Sequence, residues 1–337
     1  MDKGKDLIFK TLRHEPHEGT PWVPYAGIHC GKLKGYTAEE LLTDADKLYD
    51  ALMEAHKVFL PDGLPVIFDL QVEAEVLGCE LLWAKDTTPS VMSHPLAGSD
   101  NKLPCDCSMP TESSGRIPLI LDVMKRVKAS IGDTTALYGL ICGPFTLAQH
   151  LRGGDIFMDM IMDPDYVKKL IEFSTKVAIK MSEMYIEAGM DVIAVVDPLI
   201  SQISPDYVKD FLFDGYTSLF DYIRAKNAFS CFFVCGNAIK QVELMCQMKP
   251  DGISVDENVN LEKAKAITDS YNVSIGGNIP LATTMLHGTP EDNIKCVQEI
   301  MKMDDGINLI VSPGCDMPYD IPLENTIAVA KAVKGLV

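Results

Sequence analysis

The chain has no long hydrophobic run and little positive charge. Its 337 residues include 30 Lys and Arg against 48 Asp and Glu, a formal net charge of −18. Nucleic acids and anionic membrane surfaces are bound through basic patches, so we expect neither as a partner. No stretch of about 18 uncharged apolar residues is present, and the first residues, Met1 to Asp6, lack the apolar segment of a signal peptide. We therefore expect a cytoplasmic protein.

Several motifs that identify common enzyme classes are also missing. Gly276-Gly277-Asn278 lacks both the lysine of a P-loop and the glycine spacing of a dinucleotide-binding turn. The chain has no nucleophile elbow and no His-Glu-x-x-His motif. It also shows no internal repeat and no low-complexity tract. These absences exclude the commonest nucleotide-binding and hydrolase sites as well as repeat architectures.

Cysteine, by contrast, is well represented. The ten cysteines are scattered along the chain and do not have the spacing of a disulfide framework. In a cytoplasmic protein we expect them to be reduced thiols. Cys105 and Cys107 form a C-x-C pair without a second pair, which is only a weak metal signal.

Short runs rich in Val and Ile alternate with longer amphipathic segments almost to the end of the chain. Nearly unbroken apolar runs are typical of parallel strands that are covered on both faces. The predicted strands are residues 21–26, 66–70, 136–142, 192–197, 229–235, 252–255, 273–277 and 307–311. Eight strands with helices between them favour an α/β fold with a single (β/α)8 TIM barrel over residues 1–337.

Helix starts are recognisable between these strands. Thr37, followed three residues later by Glu40, predicts a capping box that begins a helix over residues 38–58. Proline at the first helical position predicts further helix starts at Pro164, Pro205 and Pro290.

Residues 85–116 break the alternation of strands and helices. The segment is rich in Thr, Ser, Pro, Gly and Asp, has little periodicity and is too long for an ordinary connection. It is either a lid or partner-facing insertion or a meandering loop.

Thiols, carboxylates and one imidazole dominate the residues that follow the predicted strands. They are His29, Cys30, Asp69, Glu73, Cys142, Asp197, Cys235, Asp256, Glu257, Asn278, Cys315 and Asp316. Barrel enzymes place their chemistry at the carboxyl ends of the strands. On one rim, these side chains would form an acidic pocket suited to general acid catalysis and metal binding.

The same residues also have structural interpretations. Asp69 and Asp197 fit the role of caps for the helices that follow them, and His29 that of a buried structural histidine. Cys235 and Cys315 are either two soft ligands, with zinc as the first choice of metal, or two inert thiols.

Six segments match a known family in order along the chain. They are Phe68-Asp-Leu-Gln-Val-Glu-Ala-Glu-Val-Leu-Gly78, Gly143-Pro-Phe-Thr-Leu-Ala148, Asp197-Pro-Leu-Ile-Ser-Gln-Ile-Ser-Pro205, Gly288-Thr-Pro-Glu291, Gly314-Cys-Asp-Met-Pro318 and Pro322-Leu-Glu-Asn325. Through them the chain resembles the uroporphyrinogen decarboxylase superfamily over most of its length. The resemblance implies a (β/α)8 barrel, in agreement with the strand count.

Porphyrinogen decarboxylation itself is not expected. The resemblance implies an N-terminal loop whose arginines bind the substrate carboxylates, but Tyr25-Ala-Gly-Ile-His-Cys-Gly-Lys32 contains no arginine. It also places His150 where the decarboxylase has a tyrosine and Cys315 where it has a histidine. Of the decarboxylase site, Asp69 is retained.

Cys315 is similar instead to the methyltransferase branch, whose members exchange methyl groups with a corrinoid on a separate protein. The thiol-methylating members have a zinc site of the form His-x-Cys…Cys, and this chain has Phe233-x-Cys235…Cys315. The resemblance therefore implies zinc on Cys235 and Cys315. The third ligand stays open, with His29, Glu73 and Asp197 as candidates.

The resulting hypothesis is a corrinoid-dependent methyltransferase that demethylates a small donor, a methoxylated compound first, and passes the methyl group to a corrinoid protein. Asp197 or Glu257 is the candidate acid for the departing oxygen. The candidate substrate-binding residues are Tyr25, His29, His150 and Asn278.

Two alternative reactions stay open. One is methyl transfer in the opposite direction, from a methylcorrinoid to a thiol such as coenzyme M. The other is a metal-free decarboxylase of a non-porphyrin acid, built around Asp69. A homodimer is a further expectation from the resemblance.

Overall fold

A curved parallel sheet forms the centre of the protein. The structure is a computed structural model that describes residues 4–98 and 102–337. Its strands are β1 (Gly63–Ile67), β2 (Leu81–Leu82), β3 (Ser90–Val91), β4 (Ala136–Cys142), β5 (Val192–Val196), β6 (Phe229–Val234), β7 (Gly252–Val255), β8 (Ser274–Ile279) and β9 (Leu309–Pro313). Seven strands pair in the order β1-β4-β5-β6-β7-β8-β9, all in parallel, while β2 and β3 form a separate antiparallel pair.

The segment around Trp22 fills the gap between the two edges of this sheet. Trp22 forms a parallel bridge with Val311 of β9. The Val23 N–H donates to the Val311 carbonyl at 3.0 Å, and the Val311 N–H donates to the Pro21 carbonyl at 2.8 Å. On the other side, the Gly63 N–H of β1 donates to the Trp22 carbonyl at 3.3 Å. Seven of the eight predicted strands are therefore present, the segment predicted as a strand at 21–26 forms a bridge instead, and the barrel-like α/β fold is confirmed.

Helices surround the sheet and connect its strands. They are α1 (Gly4–Leu12), α2 (His29–Lys32), α3 (Ala38–Thr43), α4 (Ala45–Phe59), α5 (Val72–Val76), α6 (Ile117–Ile131), α7 (Pro144–Arg152), α8 (Ile156–Met162), α9 (Pro164–Glu187), α10 (Pro205–Tyr207), α11 (Phe213–Ala225), α12 (Val242–Gln247), α13 (Leu261–Tyr271), α14 (Pro290–Met301) and α15 (Leu323–Val333). Single 3-10 turns lie at Asp106–Ser108, Gly153–Asp155 and Pro198–Gln202, and π-helical turns at Val208–Leu212 and Leu281–Leu286. Among the described residues, no helix has the length and apolar character that a membrane span requires.

The predicted helix over residues 38–58 is divided in two. The capping box of Thr37 and Glu40 begins α3 as expected. Asp44 then leaves the helical conformation, and its side chain accepts hydrogen bonds from the Asp46 and Lys47 N–H groups at the start of α4. The prediction missed this break because Asp44 does not interrupt the apolar periodicity, although aspartate is a preferred N-cap.

Helix α1 covers the amino ends of the barrel strands. Its Ile8 and Leu12 side chains belong to the cluster of buried residues inside the barrel. The Lys5 N–H donates to the Thr134 carbonyl, just before β4 begins. The opposite end of the barrel, where the carboxyl ends of the strands and the connections after them lie, is called the mouth below.

The irregular segment 85–116 is tied to the mouth at both ends. Its first part contains β3, which pairs with β2, and its last residue, Arg116, is the N-cap position of α6. Cys105 and Cys107 form a disulfide with each other and are exposed. This corrects the expectation of reduced thiols for that pair, while the other eight cysteines are free.

Candidate active site at the barrel mouth

Two cysteines meet at the mouth although they follow strands that are not neighbours. Cys235 comes directly after β6, Cys315 follows β9, and β7 and β8 lie between those strands. The two Sγ atoms are 2.8 Å apart, and both side chains are half-buried. The hydrogen bond between the thiols raises the pKa of Cys235 and lowers the pKa of Cys315. The sequence-based interpretation that both cysteines belong to one site agrees with this contact.

An aromatic cluster lies directly beneath the cysteine pair. Phe233 precedes Cys235 by two residues, so both side chains point to the same face of β6. The Phe233 ring centroid is 4.7 Å from that of Tyr25 and 5.9 Å from that of Phe68. The Tyr25 hydroxyl is 2.9 Å from the Ser254 hydroxyl. Phe233, where the resemblance expects a histidine ligand, thus packs inside the barrel.

The described side chains do not complete a three-ligand zinc site. Thiolates are suitable zinc ligands, so Cys235 and Cys315 fit half of a tetrahedral site. Within residues 4–98 and 102–337, however, no three His, Cys, Asp or Glu side chains are arranged to hold one metal ion. The residues therefore do not fit the expected catalytic zinc, and we derive no chemical step from it.

His29 is a packed structural histidine. From the sequence it was a candidate for the third zinc ligand and for substrate binding. Its Nε2 is 3.2 Å from the Thr326 hydroxyl, and its Nδ1 is 3.4 Å from the Tyr319 carbonyl oxygen. The ring stacks on Phe59 with a centroid distance of 5.8 Å and is fully buried. Burial lowers the pKa of His29 to about 4. The metal assignment of His29 is corrected accordingly.

Asp197 caps a helix rather than presenting a free acid. Its Oδ2 accepts hydrogen bonds from the Phe145 N–H at 2.9 Å, from the Thr146 N–H at 3.2 Å and from the Tyr216 hydroxyl. Its Oδ1 accepts from the Thr146 hydroxyl at 2.7 Å. Burial raises the pKa of Asp197, whereas these four donors favour its charged form. Both oxygens are therefore engaged at the start of α7. The expectation that Asp197 caps the helix that follows it is wrong, because its side chain forms no cap hydrogen bond at Pro198–Gln202.

Asp69 is neutralised by an arginine that the sequence reasoning did not identify. Arg116 Nη1 lies 2.6 Å from Asp69 Oδ2, and Asp69 Oδ1 accepts from the Gln71 N–H at 2.9 Å. The same guanidinium pairs with Glu75 at 2.7 Å and lies over the Trp83 ring, 4.9 Å from its centroid. Arg116 follows Asp69 by 47 residues, at the end of the irregular segment, so no local motif indicated this pair.

Glu73 is the buried acid with an open oxygen. Its Oε1 accepts from the Cys142 N–H at 3.0 Å, while Oε2 has no hydrogen-bond partner among the described residues. The side chain is 1% exposed. Burial raises the pKa of Glu73 from 4.5 to about 7, and the neighbouring Asp69 carboxylate adds to the rise. The sequence placed Glu73 at the strand ends, but its burial and its unpartnered oxygen could be seen only in the structure.

Asp316 is a second buried acid beside the cysteine pair. Its Oδ1 is buried and has no hydrogen-bond partner among the described residues. Burial, and then the Cys315 charge, raises the pKa of Asp316 well above its ordinary range. A Cβ atom at Gly27 would collide with this carboxyl group, so the close approach requires glycine at position 27.

The remaining candidates hold loops in place. The Glu257 carboxylate accepts a hydrogen bond from the Leu281 N–H. The Asn278 side-chain amide donates to the carbonyls of Asp256 and Val259, at 3.0 and 2.7 Å. Glu257 and Asn278 also line a cavity of about 680 Å³ that extends to α14. They retain access to a small molecule from that side.

His150 lies on α7, and its backbone carbonyl accepts hydrogen bonds from residues of two loops at the mouth. This carbonyl is 2.7 Å from His94 Nδ1 and 3.3 Å from the Cys79 thiol, which donates to it. The His150 Nδ1 is buried without a hydrogen-bond partner among the described residues. Burial lowers the pKa of His150 to about 4, so its imidazole is neutral at physiological pH.

A parallel barrel with thiols and buried carboxyls gathered at the carboxyl ends of its strands has the architecture of a barrel enzyme. The chain belongs to the uroporphyrinogen decarboxylase (URO-D) family, whose model matches residues 3–336. This match confirms the family resemblance identified in the sequence.

Several relatives are methyltransferases. The chain is 27% identical to the methylcobamide:CoM methyltransferase MtbA of Methanosarcina acetivorans, over 98% of this chain and 97% of that protein. It is 32% identical to the methylcobamide:CoM methyltransferase MtaA of Methanosarcina barkeri, over 78% and 76% of the two chains. A solved methyltransferase from Methanosarcina mazei shares the fold with a TM-score of 0.91 and 24% identity, covering 99% of both chains. The resemblance to the methyltransferase branch is therefore confirmed.

Proposed function

We propose that the protein is a corrinoid-dependent methyltransferase that moves a methyl group between a small substrate and the cobalt of a corrinoid on a partner protein. The observation that carries this proposal is the similarity to methylcobamide:CoM methyltransferases along 98% of the chain. The thiol pair and buried carboxyls at the barrel mouth support the proposal because they provide polar groups for a reacting methyl donor. Alkylation of a corrinoid also requires access for a large cofactor, and the mouth is where barrel enzymes admit substrates.

A methoxylated compound is the favoured methyl donor. Tyr25, Phe68 and Phe233 pack on one another beneath the cysteine pair, so the barrel interior below the mouth is apolar and aromatic, which is compatible with an aromatic donor such as a phenyl methyl ether. Cobalt(I) of the corrinoid supplies the electron pair for the new bond to the methyl carbon. The electrons of the broken carbon–oxygen bond stay on the departing oxygen, which needs a proton at that moment.

Glu73 is the proposed source of that proton. Its Oε2 has no hydrogen-bond partner among the described residues, and its pKa of about 7 allows the carboxyl group to hold a proton near neutrality. Asp197, expected as the acid from the sequence, has both oxygens occupied by donors. Glu257 keeps one accepted hydrogen bond from the Leu281 N–H and is the second acid to test.

Methyl transfer from a methylcorrinoid to a thiol is the second candidate. The names of the relatives favour it, since both MtbA and MtaA are methylcobamide:CoM methyltransferases. Zinc activation of the thiol would require a ligand set that Cys235 and Cys315 alone do not provide. A decarboxylase built around Asp69 has less support, because Arg116 already neutralises that carboxylate.

The test is a spectroscopic assay with free cobalamin as the methyl acceptor or donor. Purified protein is mixed under anoxic conditions with cob(I)alamin and one methyl donor from each class: a methoxyarene, a methylamine or a methyl thioether. Methylcobalamin formation with the methoxyarene is the expected result. In the reverse arm, methylcobalamin is mixed with the protein and coenzyme M. Demethylation of methylcobalamin in this arm, without methyl transfer in the others, would favour methyl transfer from the corrinoid to a thiol. Absence of protein-dependent methyl transfer in every arm would refute the proposal.

Glu73→Gln provides the matched variant for this assay, because it keeps the size of the side chain and removes the carboxyl proton. We expect a larger rate loss with methoxyarenes whose phenols are weak acids than with those whose phenols are strong acids, because poor leaving groups need the proton most. Glu172→Gln, on the exposed surface of α9, is the control. Equal losses for all leaving groups would remove Glu73 from the proton-donor role.

A further inference from the structure

We infer that Cys235 and Cys315 form a reversible disulfide at the barrel mouth. The inference concerns the redox chemistry of the two sulfurs and does not depend on which methyl transfer, if any, the site performs. It follows from the contact of the two sulfurs, from the side chain that stands in place of a third metal ligand, and from the partial exposure of the pair.

The two sulfur atoms already lie near bonding distance. Their separation is 2.8 Å, and a disulfide bond is about 2.05 Å long, so bond formation requires an approach of roughly 0.8 Å. Cys235 follows β6 directly, and Cys315 lies two residues beyond the last residue of β9. Rotation of the two side chains, especially on the loop that carries Cys315, can provide this movement without displacing a strand.

The neighbouring side chains do not complete a metal site that would engage the two sulfurs. A tetrahedral zinc ion would need further ligands, and the residue two positions before Cys235 is Phe233, whose ring packs against Tyr25. The described residues contain no group of three side chains arranged around a metal ion. When two thiols lie this close and bind no metal, one of them can form a mixed disulfide with an oxidant, and the other can then attack that mixed disulfide.

The pair is also accessible to a small oxidant. Cys235 and Cys315 are half-buried, whereas Cys231, four residues before Cys235 on β6, and Cys142 are buried. Thiol–disulfide exchange requires that a thiolate reach the sulfur of the oxidant. Exposure therefore selects the Cys235–Cys315 pair over these other cysteines of the barrel.

The oxidant is a low-molecular-weight disulfide, and the reaction balances in two exchanges. In the first, one cysteine thiolate attacks the oxidant, forms a mixed disulfide and releases one small thiolate. In the second, the other cysteine attacks the protein sulfur of the mixed disulfide and expels the second small thiolate. The protons of the two cysteine thiols pass to the two released thiolates. The protein loses two electrons and two protons, and the oxidant becomes two thiols.

The bond would connect two strands that are not neighbours in the sheet. It would cross the mouth above Phe233, because Cys235 and Phe233 share one face of β6 and both cysteines pack on the cluster inside the barrel. Oxidation is therefore expected to tie the segments that follow β6 and β9 together and to remove both free thiols from the mouth, while leaving the barrel intact.

The test is the mass of the protein after treatment with oxidised glutathione. The experiment uses the full chain with Cys105→Ser and Cys107→Ser, so that the disulfide of the irregular segment does not contribute. We expect a loss of about 2 Da in the cross-linked peptides, no glutathione retained on Cys235 or Cys315, and one cross-linked peptide pair that contains these two cysteines. Dithiothreitol should restore the original mass and both free thiols.

Single variants separate the two exchanges. With Cys315→Ser added to the same background, Cys235 should retain one glutathione because the second exchange cannot occur. Cys296→Ser, which removes a half-buried cysteine elsewhere, should leave the cross-link unchanged. A stable glutathione adduct on the pair without a cross-link, no mass change, or protection of the pair by bound zinc in the purified protein would each overturn the inference.

Discussion

The guanidinium group of Arg116 lies 2.6 Å from the carboxylate of Asp69, with Nη1 bonded to Oδ2 inside the barrel mouth. The Asp69 side chain is fully buried and that of Arg116 is 10% exposed. Arg116, the last residue of the irregular segment, therefore places a positive charge at the carboxyl ends of the strands. Arg116 neutralises the one carboxylate that is retained from the decarboxylase pattern. The segment 85–116, interpreted from the sequence as a lid or partner-facing insertion or as a meandering loop, thus contributes to the site.

Arg116→Gln is expected to destabilise the fold. Removal of one partner leaves the buried Asp69 charge uncompensated, which typically costs about 3 to 5 kcal/mol of unfolding free energy. Chemical denaturation of the variant and the wild type measures this loss. Arg126→Gln is the control, because Arg126 pairs with Asp46 and Asp122 on the surface and its loss should change the unfolding midpoint far less. Similar shifts for the two variants would show that the buried pair has no special role.

The buried acid Glu73 predicts a pH dependence of stability. At pH below its ordinary pKa of 4.5, Glu73 is protonated in both the folded and the unfolded chain. Between pH 4.5 and about 7 the folded state retains the proton and the unfolded state loses it, so stability falls as the pH rises. The total loss is on the order of 3 kcal/mol.

Glu73→Gln should remove this dependence. The groups that face Glu73 are Asp69, Arg116, Cys142 and Tyr185, and they are the same in the variant and the wild type. Unfolding free energies at pH 5 and pH 8 should therefore differ more in the wild type than in Glu73→Gln. Parallel pH profiles for the two proteins would mean that Glu73 titrates near its ordinary pKa.

Asp197 is expected to matter for stability because it caps α7. Asp197→Ala removes four accepted hydrogen bonds and leaves buried donors unpaired, so we expect a loss of about 3 kcal/mol or more. Asn260→Ala, which removes one hydrogen bond at the N-cap of α13, should cost about 1 kcal/mol. Denaturant titration compares the two variants, and an equal effect would contradict the special role of Asp197.

Phe233→His should create a three-ligand metal site, which the described residues of the wild type do not form. The substitution places an imidazole two residues before Cys235 and supplies the third ligand of a His-x-Cys…Cys set. Elemental analysis should find well under one zinc per chain in the wild type and about one in Phe233→His. Cys315→Ser added to Phe233→His should abolish the bound zinc. A full equivalent of zinc in the wild type would show that the cysteine pair finds its remaining ligands elsewhere.

The barrel could be predicted from the sequence because each strand is a run of apolar residues between helical segments. The ends of the strands were predicted less accurately. Strand β1 begins at Gly63 rather than at residue 66, and the segment at Trp22 forms a bridge instead of a full strand. Hydrogen bonding across the sheet decides these bounds, and periodicity along one strand does not contain that information. The division of the first long helix at Asp44 depends on a local cap in the same way.

The location of the site could be predicted from the sequence, but the roles of its residues could be predicted less well. The strand ends gather Cys235, Cys315 and Glu73 near the mouth, as the barrel topology requires. The roles of Asp69 and Asp197 depend on partners that are distant in sequence, namely Arg116 and Tyr216. Whether a carboxylate is free or occupied is decided by these tertiary contacts, which residue type and spacing do not show.

The most direct test of the proposed function follows the methyl group itself. A methoxyarene labelled with carbon-13 in its methyl group is incubated with the protein and cob(I)alamin under anoxic conditions, and carbon-13 NMR locates the label. The account predicts a methyl resonance on cobalt that appears only when the protein is present, together with the free phenol. If the label stays on oxygen, and labelled methylamine and methyl thioether donors also keep their methyl groups, the account of this protein as a demethylating methyltransferase is contradicted.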